Sequence, residues 1–119
     1  MYTFAHIELP VLDLQRGAEF YGALFGWKYE RLFGNDYLMI RTAEGQEIGG
    51  LSRVDGIPQI LGYWNYIEVP DIEKTAKQAQ SLGGKIVQAK TELPNNYGSY
   101  AVIQAPDGYN LGIWQKPAA

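Results

Sequence analysis

The sequence predicts an α+β fold made of two βαβββ modules, whose curved mixed sheets form a shared cleft. Three observations predict it. The order strand, helix, strand, strand, strand reads twice along the 119 residues. Matching residues of the two passes recur 58 apart: Val11 and Val69, Asp13 and Asp71, Leu14 and Ile72, Leu24 and Leu82, Gly26 and Gly84. The stretch from His6 to Leu14 has the period of a strand with two unlike faces, and it runs directly into a helix start. A half of roughly 55 residues is too small to bury its own sheet face well. Two halves, of one chain or of two subunits, are therefore expected to pack around a common cleft. The chain is read as one domain over 1–119, with module 1 at 1–53, a linker at 54–61 and module 2 at 62–116.

In the first strand Ile7, Leu9 and Val11 fall on one side, and His6 and Glu8 on the other. Asp13 offers an oxygen to the free N–H groups of a helix's first turn. The helix predicted from Asp13 to Phe25 carries Leu14, Ala18, Tyr21, Leu24 and Phe25 as an apolar stripe, and Gly26 stops it. Strands are predicted at Trp27–Phe33, Tyr37–Thr42 and Gln46–Arg53, with turns at Gly34-Asn35-Asp36 and Ala43-Glu44-Gly45. Val54–Leu61 holds a Gly and a Pro without a clear period and reads as the linker. The second pass predicts a strand at Tyr63–Val69, a helix from Asp71 to Leu82 stopped by Gly83-Gly84, and strands at Lys85–Lys90, Tyr97–Gln104 and Tyr109–Gln115. Gly45 and Gly108 lie 63 apart, so five extra residues belong to the second pass, placed in the loop Thr91–Asn96.

Composition narrows the function classes. Net charge is −3, and the 10 basic residues form no run, so nucleic acid is not an expected partner. Without cysteine there is no disulfide, thiolate nucleophile or zinc-thiolate site. No signal peptide and no membrane-length apolar run is seen, so a cytoplasmic protein is expected. Nine Tyr, three Trp and four Phe suit a pocket for flat apolar ligands, and equally suit core and dimer packing. No phosphate-binding glycine fingerprint and no Ser-His-Asp context is present.

The runs Glu8-Leu9-Pro10-Val11-Leu12-Asp13, Phe20-Tyr21 and Leu24-Phe25-Gly26-Trp27 resemble the opening of vicinal oxygen chelate proteins. Leu82-Gly83-Gly84-Lys85 and Ala105-Pro106-Asp107-Gly108-Tyr109-Asn110 resemble the ends of their second module. That superfamily includes glyoxalase I, extradiol dioxygenases, and fosfomycin- and bleomycin-resistance proteins. Phe25-Gly26-Trp27 and Gly49-Gly50-Leu51 look most like its small glyoxalase-like members. The resemblance implies a homodimer and a divalent metal held by the first and last strands of each module. The corresponding positions here are His6, Gly49, Trp64 and Gly112, of which only His6 has a ligand-capable side chain. No metal site is therefore expected, and no cofactor.

By strand parity with His6 and Glu8, the cleft face should present Tyr37, Met39 and Arg41 from module 1 and Trp64, Tyr66, Tyr100 and Trp114 from module 2 as ligand contacts. Phe4, Gly49, Leu51, Glu68, Val102, Asn110 and Gly112 share that parity. His6 and Glu8 are the candidate catalytic pair, since histidine can change charge near neutral pH and a carboxylate in an apolar cleft can serve as acid or base. The plainer readings are a hydrogen-bonded histidine at an old ligand position, and a Glu8 paired with Arg41 or a tyrosine. The two glycines are expected to open space for an organic molecule. The leading expectation is a metal-free, bleomycin-resistance-like protein binding a small apolar or aromatic molecule. The alternatives are a glyoxalase-like lyase or isomerase using His6 or Glu8 as base, and a structural or regulatory domain whose cleft fills itself.

Overall fold

The structure, a computed structural model, describes residues 2–58 and 65–118. It divides into two compact units, Met1–Pro58 and Gln59–Ala119. The first holds β1 (Ile7–Val11), α1 (Leu14–Phe25), β2 (Lys28–Glu30), β3 (Tyr37–Arg41) and β4 (Glu47–Arg53). The second holds β5 (Tyr66–Glu68), α2 (Ile72–Ser81), β6 (Lys85–Glu92), β7 (Ser99–Gln104) and β8 (Asn110–Gln115), with a 3₁₀ turn at Pro94–Asn96. Each unit has one four-stranded mixed sheet, ordered β1-β4-β3-β2 in the first and β5-β8-β7-β6 in the second. In both, the first and last strands pair in parallel and the other neighbours are antiparallel. The α+β class and the doubled βαβββ order are thus as the sequence predicts. No helix among the described residues is long and apolar enough to cross a membrane.

The repeat has local causes. Both helices start at an aspartate whose carboxylate accepts a first-turn N–H: Arg16 N donates to Asp13 at 2.9 Å, and Lys74 N to Asp71 at 3.2 Å. Helix α1 ends at Gly26 with φ 72°, a left-handed turn that costs glycine little. In the second unit the left-handed residue is Gly83, with φ 95°, one position before the expected match at Gly84. One face of each sheet packs on its helix. Leu9, Leu51 and Ile40 with Leu14, Phe20, Tyr21 and Leu24 make the first core; Ile103, Leu111 and Ile113 with Ile72, Ala76 and Ala79 make the second. Phe20, absent from the expected stripe, is buried beside Tyr21, their rings meeting edge to face.

Three departures matter for the site. Strand β2 ends at Glu30, well short of the predicted Phe33, because Leu32 and Phe33 stay exposed and lie beyond the β2–β3 ladder. Strand β6 runs on to Glu92, and its register against β7 shifts twice. Register equates Glu30 with Gln88 and Tyr37 with Tyr100, so the second module spans 12 residues (100 − 88) where the first spans 7 (37 − 30). The five extra residues lie in that interval, around the expected loop. Finally, β4 carries an irregularity: Ile40 pairs with Gly49 but Arg41 with Glu47, leaving Ile48 as an added residue. The linker expected at 54–61 and the strand expected from Tyr63 fall partly outside the described residues.

Candidate functional site

The face of the second sheet that points away from α2 carries a groove. Tyr66 pairs with Gly112, Gly112 with Val102 and Val102 with Gln88, while Trp114 pairs with Tyr100. Partners across a sheet share a face, so these side chains stand side by side. They line a groove of about 590 Å³ together with Leu93 from the chain after β6. Its wall is aromatic and aliphatic, with one amide and no charged side chain. Trp114 is fixed in place, because its indole N–H donates to the Tyr97 carbonyl at 2.8 Å. The Tyr66 and Tyr100 rings meet edge to face at 6.3 Å. Gln88 donates its amide to Tyr100 Oη at 2.8 Å and to Thr91 Oγ1 at 3.3 Å.

The first sheet presents a polar arrangement at the equivalent positions. Tyr37 Oη lies 2.9 Å from His6 Nε2, and the two rings stack. Glu8 Oε1 lies 3.5 Å from the same nitrogen. Burial pushes the Tyr37 phenol up, and the Glu8 and Glu47 carboxylates push it further. Tyr37 therefore keeps its proton at neutral pH and can donate it to His6 Nε2 in the tautomer that leaves that nitrogen bare. The cluster is open to solvent, since both His6 and Glu8 are substantially exposed.

Of the candidate residues, Tyr66, Tyr100 and Trp114 converge on the groove, and His6, Glu8 and Tyr37 come together in the first unit. Glu8 sits in water rather than in an apolar cleft, and its neighbour is His6. Arg41 is taken by Glu30 at 3.3 Å and by the Gly45 carbonyl, so it does not pair with Glu8. Met39 is buried, with 1% of its surface exposed, and offers almost nothing to a ligand. Trp64 lies outside the described residues. Leu51, expected on the cleft face, has the opposite parity: it pairs with Leu9 and Leu38 and is fully buried in the core. The added residue in β4 has the same effect on Gly49, which pairs with Ile7, while Gly50 pairs with Glu8 as Gly112 pairs with Tyr66.

Gly50 is thus the first-module counterpart of Gly112. Neither leaves open space as expected. A Cβ at Gly50 would run into the Tyr37 ring and hydroxyl, and one at Gly112 into the Tyr66 ring. Among the described residues, no three His, Cys, Asp or Glu side chains gather to hold an ion, and tyrosine rings fill the volume where fourth-strand donors would stand.

Sequence reading missed Gln88 and Leu93 as groove residues. Leu93 follows a strand of uncertain end and has no signal of its own. Gln88 had one, because the 58-residue offset carries Glu30 onto it.

Comparison with known proteins agrees with this architecture. The chain is 28% identical over 118 residues to a glyoxylase-like domain-containing protein of Didymella fabae, covering 93% of this chain and 91% of that one. It is 23% identical over 124 residues to a lactoylglutathione lyase of Arabidopsis thaliana, covering 95% of this chain but 44% of that protein. In structure it resembles the fosfomycin resistance protein FosX of Listeria monocytogenes, solved with Mn(II) and sulfate, with a TM-score of 0.77 at 13% identity over 98% of this chain and 91% of that one. The family model of the glyoxalase/bleomycin resistance protein/dioxygenase superfamily matches residues 3–113, and the chain belongs to that superfamily.

Proposed function

We propose that this protein binds a small, flat, uncharged organic molecule in the groove of its second module, and does so without a metal. The observation that carries the reading is the groove wall: Tyr66, Tyr100, Val102, Leu93 and Trp114 around about 590 Å³, with no charged side chain. A volume of that order suits a drug-sized ligand, and aromatic walls favour flat ones. An ionic ligand would lose hydration there without gaining a partner. The glycines at Gly50 and Gly112 and the rings over them support the metal-free part of the reading. Thermal unfolding with quinoline as a flat, uncharged probe tests it. At 100 times the dissociation constant, stability should rise by about 2.7 kcal/mol. The rise should be the same after dialysis against EDTA and should shrink in Trp114→Ala. No rise with quinoline, or one that needs added metal, counts against the reading.

A second reading rests on the His6 cluster. Tyr37 Oη and Glu8 Oε1 both stand against His6 Nε2, at 2.9 and 3.5 Å, and a base at that nitrogen suits proton abstraction by a lyase or isomerase. Turnover that survives EDTA and disappears in His6→Ala, with the fold intact by circular dichroism, supports it. Turnover unaffected by His6→Ala removes that role from the cluster.

A further inference from the structure

We infer that the groove selects ligands whose flat edge carries a hydrogen-bond donor directly beside an acceptor, as a cyclic amide does. The inference rests on the binding reading above and narrows it to a chemical class. It follows from how three polar side chains satisfy one another.

The Thr91 hydroxyl donates its only proton to the Ala89 carbonyl at 2.9 Å. Its oxygen can then only accept toward Gln88. The Gln88 atom 3.3 Å away must therefore be the amide nitrogen, which fixes the orientation of that side chain. The same nitrogen lies 2.8 Å from Tyr100 Oη, so Tyr100 accepts there. Two groups are left over among the described residues. The Tyr100 O–H has a proton to donate, and the Gln88 side-chain carbonyl has lone pairs to fill. The carbonyl is bonded to the carbon that bears the amide nitrogen, so the free acceptor stands next to the free donor. Both residues line the groove, together with the Tyr66 and Trp114 rings and Val102.

A ligand that stacks on those rings meets this pair at its edge. Its own acceptor takes the tyrosine proton, and its own donor reaches the glutamine carbonyl. A lactam N–H–C=O edge, or an arene with neighbouring hydroxyl and carbonyl groups, supplies both at once. A site built around paired polar groups discriminates by leaving one of them unmatched when the wrong ligand binds.

Calorimetric titration with 2-quinolone and with N-methyl-2-quinolone tests this. The two share a flat body and a carbonyl, and only the first has the adjacent N–H. The wild type should bind 2-quinolone about tenfold tighter. Gln88→Leu should bring the two affinities together, and Tyr100→Phe should weaken both by about tenfold while keeping the ring. Gln88 is exposed on an edge strand, so its replacement leaves the core intact. Equal wild-type affinities overturn this inference and leave the binding reading standing. A preference that persists in Gln88→Leu also overturns it, because the N-methyl group would then be excluded by shape. If neither compound binds, and quinoline does not stabilise the fold, both readings fail together.

Discussion

Tyr29 and Tyr37 show how a single residue's surroundings set its chemistry. Burial raises both phenols above the ordinary value of 10.0, and for Tyr29 burial is the whole cause. Near pH 10 an unfolded chain releases these protons while the folded chain holds them. The folded state then binds more protons, so stability falls as pH climbs past that point. Below it, neither phenol contributes any pH dependence. The buried Tyr29 hydroxyl has no hydrogen-bond partner among the described residues. Tyr29→Phe should therefore leave stability at neutral pH unchanged or slightly raised, and should flatten the alkaline loss. Urea midpoints measured from about pH 9 to 11 check this. A wild-type curve with the same slope as Tyr29→Phe would contradict it.

Element scale is where sequence legibility begins and ends. The caps at Asp13 and Asp71, the stop at Gly26 and the apolar face of Leu9 and Val11 were all readable, because each depends on a few neighbouring residues. The added residue Ile48 in β4 was not. A bulge depends on how two strands meet, and its only trace was that Gly45 and Gly108 stand 63 apart while Gly50 and Gly112 stand 62 apart. One unseen residue reversed the parity of Gly49 and Leu51. It also hid that Tyr37, rather than open space, covers the fourth-strand glycine. The Arg41–Glu30 pair was likewise invisible, since it needs the β2–β3 register. The bulge makes its own prediction. A Cβ at Gly49 would strike the Ile7 backbone carbonyl, whereas the nearest atoms to one at Gly50 belong to the Tyr37 side chain, which can turn aside by giving up its His6 contact. Gly49→Ala should destabilise by about 1–3 kcal/mol or more, and Gly50→Ala by less. Chemical denaturation of the two variants ranks them; the reverse order would contradict the register.

The whole molecule doubles one module and specialises the copies. Equivalent positions hold Glu8, Glu30 and Tyr37 in the first sheet and Tyr66, Gln88 and Tyr100 in the second. One sheet presents a charged, solvent-facing cluster and the other an uncharged aromatic groove. Superfamily membership and the doubled fold were readable from motif order and spacing; the contrast between the two sheet faces needed the register, the rings over the glycines and the hydrogen bonds of Gln88. The most direct test is to locate a bound ligand by amide and indole chemical shifts during titration with quinoline, after dialysis against EDTA. Shifts concentrated at Gln88, Tyr100, Val102 and the Trp114 indole N–H are the predicted result. Shifts centred on His6, Glu8 and Tyr37, or shifts that appear only when a divalent metal is returned, would contradict it.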